Sequence, residues 1–222
     1  MKYSNLVRYL KKFKFFRLIY YKFLRPKEYK NFYNLNLNEN SLVLDFGANI
    51  GEITQCLLDL YNCKIYCYEP NNYAFEILKN QFKENKKVII FNKAVGKDDG
   101  KDYLYYHHLH DENPVKYSTG SSLLKEKTNV NSDNCKLTEI VSINNILNQF
   151  KNIDLIKIDV EGYEYEILPD IIKNKNKIKK VICELHGNPE KQKNKFLNNE
   201  YLEFIKKLDE IDPNKDWFLQ HY

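Results

Sequence analysis

The sequence predicts an α/β fold: a doubly wound, Rossmann-like parallel sheet with helices on both faces, preceded by an N-terminal amphipathic helix. Three observations carry this. Short apolar runs alternate with amphipathic segments from residue 42 onward, the pattern of repeated βαβ units. The first run ends in Asp45 and is followed by Gly47 and Gly51, a strand, a tight glycine turn and a helix start in immediate succession. Acidic residues then close one apolar run after another.

Taken in order, residues 4–24 place Leu6, Leu10, Phe13, Phe16, Tyr20 and Phe23 at steps of three and four, one face of a helix. Arg8, Lys11, Lys12 and Lys22 fall off that stripe, and Pro26 ends the helix. Residues 1–30 hold ten Lys or Arg and a single acid, Glu28, a balance of +9; the whole chain carries +5, so the remainder carries −4. Basicity therefore belongs to the N-terminus and not to the domain, which argues against a nucleic-acid partner. The segment is too interrupted by charge to span a bilayer or to act as a signal peptide. Two readings stand: a helix packed on the domain or a partner, or an interfacial helix making peripheral contact with an anionic membrane through residues 1–30. The chain divides into a helical extension over 1–35 and one α/β domain over 36–222.

The remaining elements read as strand 42–46, helix 51–61, strand 64–69, helix 71–85 and strand 87–91. Pro70 gives a sharp exit from the second strand, and Asn71 or Asn72 caps the next helix. Residues 97–136 are polar and irregular, with one extended stretch from Tyr103 to His107, and read as an insertion over the binding face. His107, His108, His110 and Asp111 lie there, as a metal cluster, part of an acceptor pocket, or a solvated hairpin. Strand 137–142, helix 143–150, strand 153–159, helix 163–173, strand 179–185, a long helix over 189–210 and a short strand over 217–221 complete the chain. Cys56, Cys63, Cys67, Cys135 and Cys183 are odd in number and form no paired metal spacing, which predicts buried thiols in a reduced, cytoplasmic setting.

The glycine turn limits what can bind. Gly47-x-x-x-Gly51 lacks the Lys-Ser or Lys-Thr of a phosphate loop and the third glycine of a dinucleotide fingerprint. A carboxylate at Asp45 repels phosphate and favours an ammonium or sulfonium. Glu69, 24 residues on, stands where a carboxylate accepts both ribose hydroxyls. A positively charged nucleoside without phosphate, S-adenosyl-L-methionine, satisfies both. Asp45, Phe46, Gly47, Ala48, Asn49, Gly51, Glu69, Pro70 and Asn71 are the candidate cofactor residues, with Asn92 and Ala94 near the adenine.

Residues 41–54 resemble motif I of class I S-adenosylmethionine-dependent methyltransferases. Lys157-Ile158-Asp159-Val160-Glu161-Gly162-Tyr163-Glu164 resembles the hallmark of FkbM-type methyltransferases. Asn92 to Gly96 and Thr119 to Leu123 fall where that family has similar segments, and the resemblance covers residues 41–187. It implies O-methylation, often of sugar or polyketide hydroxyls. In a doubly wound sheet, ligands bind beyond the carboxyl ends of the strands. With strand 42–46 central and 153–159 beside it, Asp159, Glu161, Glu184 and His186 converge there with Asp45 and Glu69. Asp159 is the preferred base for an alcohol acceptor and His186 the second candidate, with Glu161 and Glu184 orienting acceptor hydroxyls. A divalent metal between Asp159 and Glu184 is possible but not favoured. Two other readings are methylation of nitrogen on a peptide or nucleic acid, and a non-catalytic, membrane-associated scaffold.

Overall fold

The computed structural model describes residues 9–189 and 197–221. After the helical turns α1 (Lys14–Ile19) and α2 (Pro26–Tyr29), the chain alternates through β1 (Leu42–Phe46), α3 (Glu52–Tyr61), β2 (Lys64–Tyr68), α4 (Asn72–Phe82) and β3 (Val88–Phe91). It then forms β4 (Ala94–Gly96), β5 (Gly100–His107), β6 (Val130–Ser142), α5 (Ile143–Leu147), β7 (Leu155–Ile158), α6 (Glu164–Lys173), β8 (Val181–Glu184), α7 (Asn198–Ile211) and β9 (Phe218–His221).

Six strands form the main sheet in the order β3-β2-β1-β7-β8-β9, with every pairing parallel. The central position of β1, the β7 neighbour and the doubly wound class are as the sequence predicts. Period-two alternation explains why both faces are covered. Val43, Ile65, Leu155 and Ile182 pack with Leu57, Leu78 and Phe82 on one side. Leu44, Phe46, Ile156 and Ile158 pack with Ile146, Ile167, Ile171 and Phe204 on the other. The last strand joins β8 in parallel, and Trp217 Nε1 donates to Ile178 O at 2.8 Å to lock that edge.

Two expectations are corrected. Residues 97–136 are not irregular throughout: β5 and β6 pair antiparallel and are joined by β4 into a separate three-stranded sheet, and only the connection 108–129 between them carries no strand of its own. One side of this hairpin is solvated, so Lys, Asp and Asn occupy strand positions and mask the alternation. Its histidines stack: His107 lies 4.3 Å from His108 and 5.0 Å from Tyr117 between ring centroids, and His110 4.1 Å from Tyr106. Rings held face to face serve packing and do not converge on an ion.

The N-terminal segment is not one uniform helix over 4–24. Leu6 and its neighbours through residue 8 lie outside the described residues. Beyond α1 the chain widens into a π-helix over Tyr20–Leu24. That turn shifts the phase of the stripe: Phe13 and Phe23 face solvent, whereas Tyr21 is buried. Arg17 fixes the arrangement, with Nε 2.5 Å and Nη2 2.7 Å from the two oxygens of Asp59, to which Tyr21 OH also donates at 3.2 Å. Tyr21, Tyr29, Phe32 and Leu35 thereby join the core above α3. The long C-terminal helix begins at Asn198 in the described chain; residues 190–196 of the predicted 189–210 lie outside it.

Candidate active site

The turn after β1 is shaped by two close approaches. Gly47 has φ +76°, and a Cβ there would lie 1.8 Å from Asp159 O; only glycine lets β1 and the β7 exit meet this closely. Gly47 N and Ala48 N both donate to Tyr68 O, which ties the turn to the end of β2. Asn49, also left-handed at φ 48°, turns its N–H onto Glu69 Oε2 at 2.7 Å. Asn71 N donates to Glu69 Oε1 at 2.8 Å.

A cleft opens beyond these strand ends. Of the residues singled out from the sequence, Gly47, Asn49, Glu69, Pro70, Ala94, Asp159 and Glu161 line it. Tyr68, Val95, Leu104, Leu123 and Tyr163 supply an apolar wall, and Ser118, Thr119, Ser121 and Ser122 a polar one. The serine segment is clamped onto the rim: Asn49 Nδ2 donates to Ser118 Oγ at 2.9 Å, Asn71 Nδ2 to Ser121 Oγ at 3.0 Å and Ser122 Oγ to Glu161 O at 2.7 Å.

The other candidates sit behind this lining. Asp45 is fully buried below the turn, where Thr54 Oγ1 donates to it at 2.7 Å and Lys157 Nζ stands 3.3 Å away. Phe46, Ala48 and Gly51 shape the turn; Gly51 abuts Leu78 and Phe82. Asn71 caps α4 through Tyr73 N at 3.0 Å, and Asn92 Nδ2 holds Glu69 O at 2.9 Å. His186 is buried between two carboxylates, its Nε2 3.3 Å from Glu161 Oε2 and its Nδ1 3.0 Å from Glu164 Oε1. Glu184 is half-buried at the end of β8.

Three participants were not singled out from sequence. Lys157, buried, donates to Gly47 O at 2.6 Å and stands 3.8 Å from Asp159. Burial alone would lower its pKa, but Asp45 and Asp159 outweigh that and raise it. Glu164, fully buried, accepts the N–H groups of Val160 and Gly162 and so shapes the bend after β7. Lys127 reaches from the serine-bearing loop to pair with Glu161. The first two lie inside the Lys-Ile-Asp-Val-Glu-Gly-Tyr-Glu run, which was the available signal; Lys127 carries none.

The electrostatics separate the carboxylates. Burial raises the Asp159 carboxyl above its ordinary range, opposed by Lys157 and reinforced by Glu161. Burial likewise pushes Glu69 and Glu184 up to about 7. Glu161 goes the other way, down to about 2, because Lys127 and His186 outweigh its burial. His186 is held well above the ordinary histidine value: desolvation opposes its charge, but Glu164 and Glu161 prevail. Asp159, Glu161 and His186 bring donor atoms within 4.8 Å of one another, a spacing a cation can span. Lys127 and Lys157 already supply positive charge there from the chain itself.

The donor set suits a cationic nucleoside. Glu69 offers a carboxylate to ribose hydroxyls, the wall of Tyr68, Ala94, Val95 and Leu104 offers an apolar slot for a base, and the acidic lining disfavours phosphate. A cleft beyond the carboxyl ends of the strands is the ligand position of a doubly wound α/β fold. The chain belongs to the FkbM methyltransferase family: residues 45–211 match the model of the methyltransferase FkbM domain. Family membership carries S-adenosylmethionine as the methyl donor.

A search of the curated proteins finds no match. Among solved structures, the chain is similar to precorrin-6y C5,15-methyltransferase from Geobacter metallireducens, at 12% identity and TM-score 0.41 over 78% of this chain and 65% of that one. It is similar to the StiE O-MT (residues 961–1257), at 14% identity and TM-score 0.40 over 72% and 42%. For phosphoethanolamine N-methyltransferase 1 from Haemonchus contortus the values are 10%, 0.41, 73% and 26%. The chain spans less than two thirds of each of these proteins. Among the described residues no helix is long and apolar enough to cross a membrane.

Proposed function

We propose that the chain transfers a methyl group from S-adenosylmethionine to a hydroxyl of a sugar, glycan or other small hydroxylated molecule, with Asp159 as the proton acceptor. The carrying observation is that Asp159 lines the cleft and keeps 31% of its side chain exposed, whereas His186 does not line it and is buried. His186 is charged and held on both ring nitrogens, so it has no free lone pair to accept a proton. Asp159, with its raised pKa, is a better base than an ordinary carboxylate.

When bound, the cofactor supplies an electrophilic methyl carbon on a positively charged sulfur. Glu69, with Asn49 and Asn71 fixing its oxygens, holds the ribose end. The acceptor hydroxyl donates to Asp159, and Glu161, locked by Lys127 and His186, accepts from a neighbouring hydroxyl. With the cofactor bound, Asp159 would take the proton of the acceptor hydroxyl as that oxygen accepts the methyl group. A polyol suits the rim because carboxylates accept hydroxyl hydrogen bonds.

The test is methyl transfer from labelled cofactor to panels of sugars, polyols and amines. Sugars or polyols are expected to be labelled, and Asp159→Asn to lower turnover by about 10²–10⁴ while cofactor affinity stays near wild type. Labelling confined to amines would overturn the hydroxyl acceptor. Near-normal turnover of Asp159→Asn would remove it as base, and absence of cofactor binding would establish the scaffold reading.

A further inference from the structure

We propose that the solvent-facing side of residues 9–27 docks on an anionic lipid bilayer. The observation is independent of the methyl-transfer reading. This segment is fastened to the domain by one side only. Arg17 and Tyr21 grip Asp59, Lys11 Nζ lies 3.1 Å from Glu52, and Tyr29 and Phe32 enter the core. The rest of its surface is strongly apolar: Phe15 is 77% exposed, Phe23 68%, Tyr9 and Leu24 56% each and Phe13 54%. These five are half of the ten exposed large hydrophobics among the described residues, confined to sixteen positions of the chain. Clustering on that scale marks an interaction surface rather than scattered exposure.

Charge identifies the occupant. Lys12, Lys14, Lys22, Arg25 and Lys27 are exposed among those rings, and no acid occurs between Tyr9 and Lys27. A second copy of the chain is disfavoured, because a two-fold contact sets the same patch on itself and brings two strongly basic segments together. A bilayer with anionic headgroups meets both features at once: the basic side chains lie at the headgroups, and the Phe and Leu side chains enter the acyl boundary. Each basic residue near such a surface strengthens attachment by about fivefold. A polyanionic strand would answer the lysines but leave the aliphatic Leu24 and the protruding Phe15 and Phe23 without an apolar phase.

The domain-facing side of the segment adjoins the candidate site. Lys11 and Lys12 share a cavity with Ile50 and Glu52, the residues that follow Asn49 of the cleft. A protein seated through this segment therefore holds the turn after β1 close to the bilayer.

The experiment is co-sedimentation of the full chain with vesicles of equal parts phosphatidylcholine and phosphatidylglycerol, and with phosphatidylcholine alone. Binding to the anionic vesicles, at least tenfold stronger than to the neutral ones and weakened by salt, is expected. Phe15→Ser with Phe23→Ser, and separately Lys14→Glu with Lys22→Glu, are each expected to lower it at least tenfold while the melting temperature stays at the wild-type value. These positions are exposed, so loss of fold does not account for loss of binding. Three results would overturn the proposal: no binding to anionic vesicles, unchanged binding of the two-phenylalanine variant, or tighter binding to a uridine oligonucleotide than to the vesicles. Concentration-dependent dimerisation abolished by the same phenylalanine substitutions would assign the face to a second copy instead.

Discussion

His186 Nδ1 lies 3.0 Å from Glu164 Oε1, and the same oxygen accepts the backbone N–H groups of Val160 and Gly162. One buried carboxylate thus sets both the bend of the chain after β7 and the charge of the histidine at the end of the neighbouring strand. Glu161 faces that histidine from the other side, with Lys127 behind it.

The pH dependence of stability follows from these shifts. His186 has a folded pKa well above 6.5, so its contribution is full below about pH 6.5 and is lost as pH rises through the folded value. Glu161 has a folded value of about 2 against an ordinary 4.5, so its contribution is full above about 4.5 and is lost as pH falls toward 2. Glu164→Gln is expected to destabilise by about 3–5 kcal/mol, because it breaks a buried ion pair. It is also expected to lower the His186 pKa, which NMR of the imidazole reads directly. An unchanged imidazole titration would show that Glu164 only shapes the backbone.

Lys157 is the counterpart of this arrangement beneath the glycine turn. It neutralises fully buried Asp45, stands beside Asp159 and holds Gly47 O. Lys157→Met takes the cationic partner away from buried Asp45, an expected loss of about 3–5 kcal/mol in urea unfolding. Adding Asp45→Asn is expected to recover at least half of it, since the unpartnered carboxylate is then gone. Loss of stability that simply adds across the two variants would mean that the pair is not coupled.

The sheet was legible because its strands are buried on both faces and read as short apolar runs cut by Gly, Pro and Asn. The rim was legible for a related reason: Glu69, Asp159 and Glu161 interrupt such runs where strands end. Asp45 illustrates the limit. Its position at a strand end was clear, but whether its carboxylate reaches the cleft depends on Lys157 two strand residues away from Asp159, a contact between strands that no local spacing encodes. The β5–β6 hairpin was hidden by its solvated face. The phase of the N-terminal segment was decided by Arg17 meeting Asp59, 42 residues on, which moved Tyr21 inward and left Phe23 outside.

Gly47 and Gly100 give a paired test of close approach. Gly47→Ala places a Cβ against Asp159 O at left-handed φ, and Gly100→Ala meets nothing within 4 Å. The backbone conformation alone costs about 1–2 kcal/mol for a residue with a Cβ, so with the clash Gly47→Ala is expected to lose more than that. Gly100→Ala is expected to stay within about 0.5 kcal/mol of wild type. Thermal unfolding of both variants checks this, and equal effects would mean that the turn yields without disturbing β7.

Glu69 is expected to link cofactor affinity to pH. Its oxygens take Asn49 N and Asn71 N, yet burial dominates and pushes its pKa up to about 7. Between about 4.5 and 7 the folded chain without cofactor holds a proton that the unfolded chain has released, so this group makes stability fall as pH rises across that window. Ribose hydroxyls and a positive ligand favour the carboxylate, so cofactor affinity is expected to rise through about pH 7 and level off above it. Glu69→Gln removes the charge-assisted bonds and is expected to weaken binding by about tenfold to a hundredfold. It is also expected to flatten the pH dependence. Glu184 titrates near the same pH, so Glu184→Gln is the control that must leave the slope in place. Calorimetric titration on either side of neutrality, in buffers of different ionisation enthalpy, counts the proton released on binding. A slope that survives in Glu69→Gln and vanishes in Glu184→Gln would move the ribose contact away from Glu69.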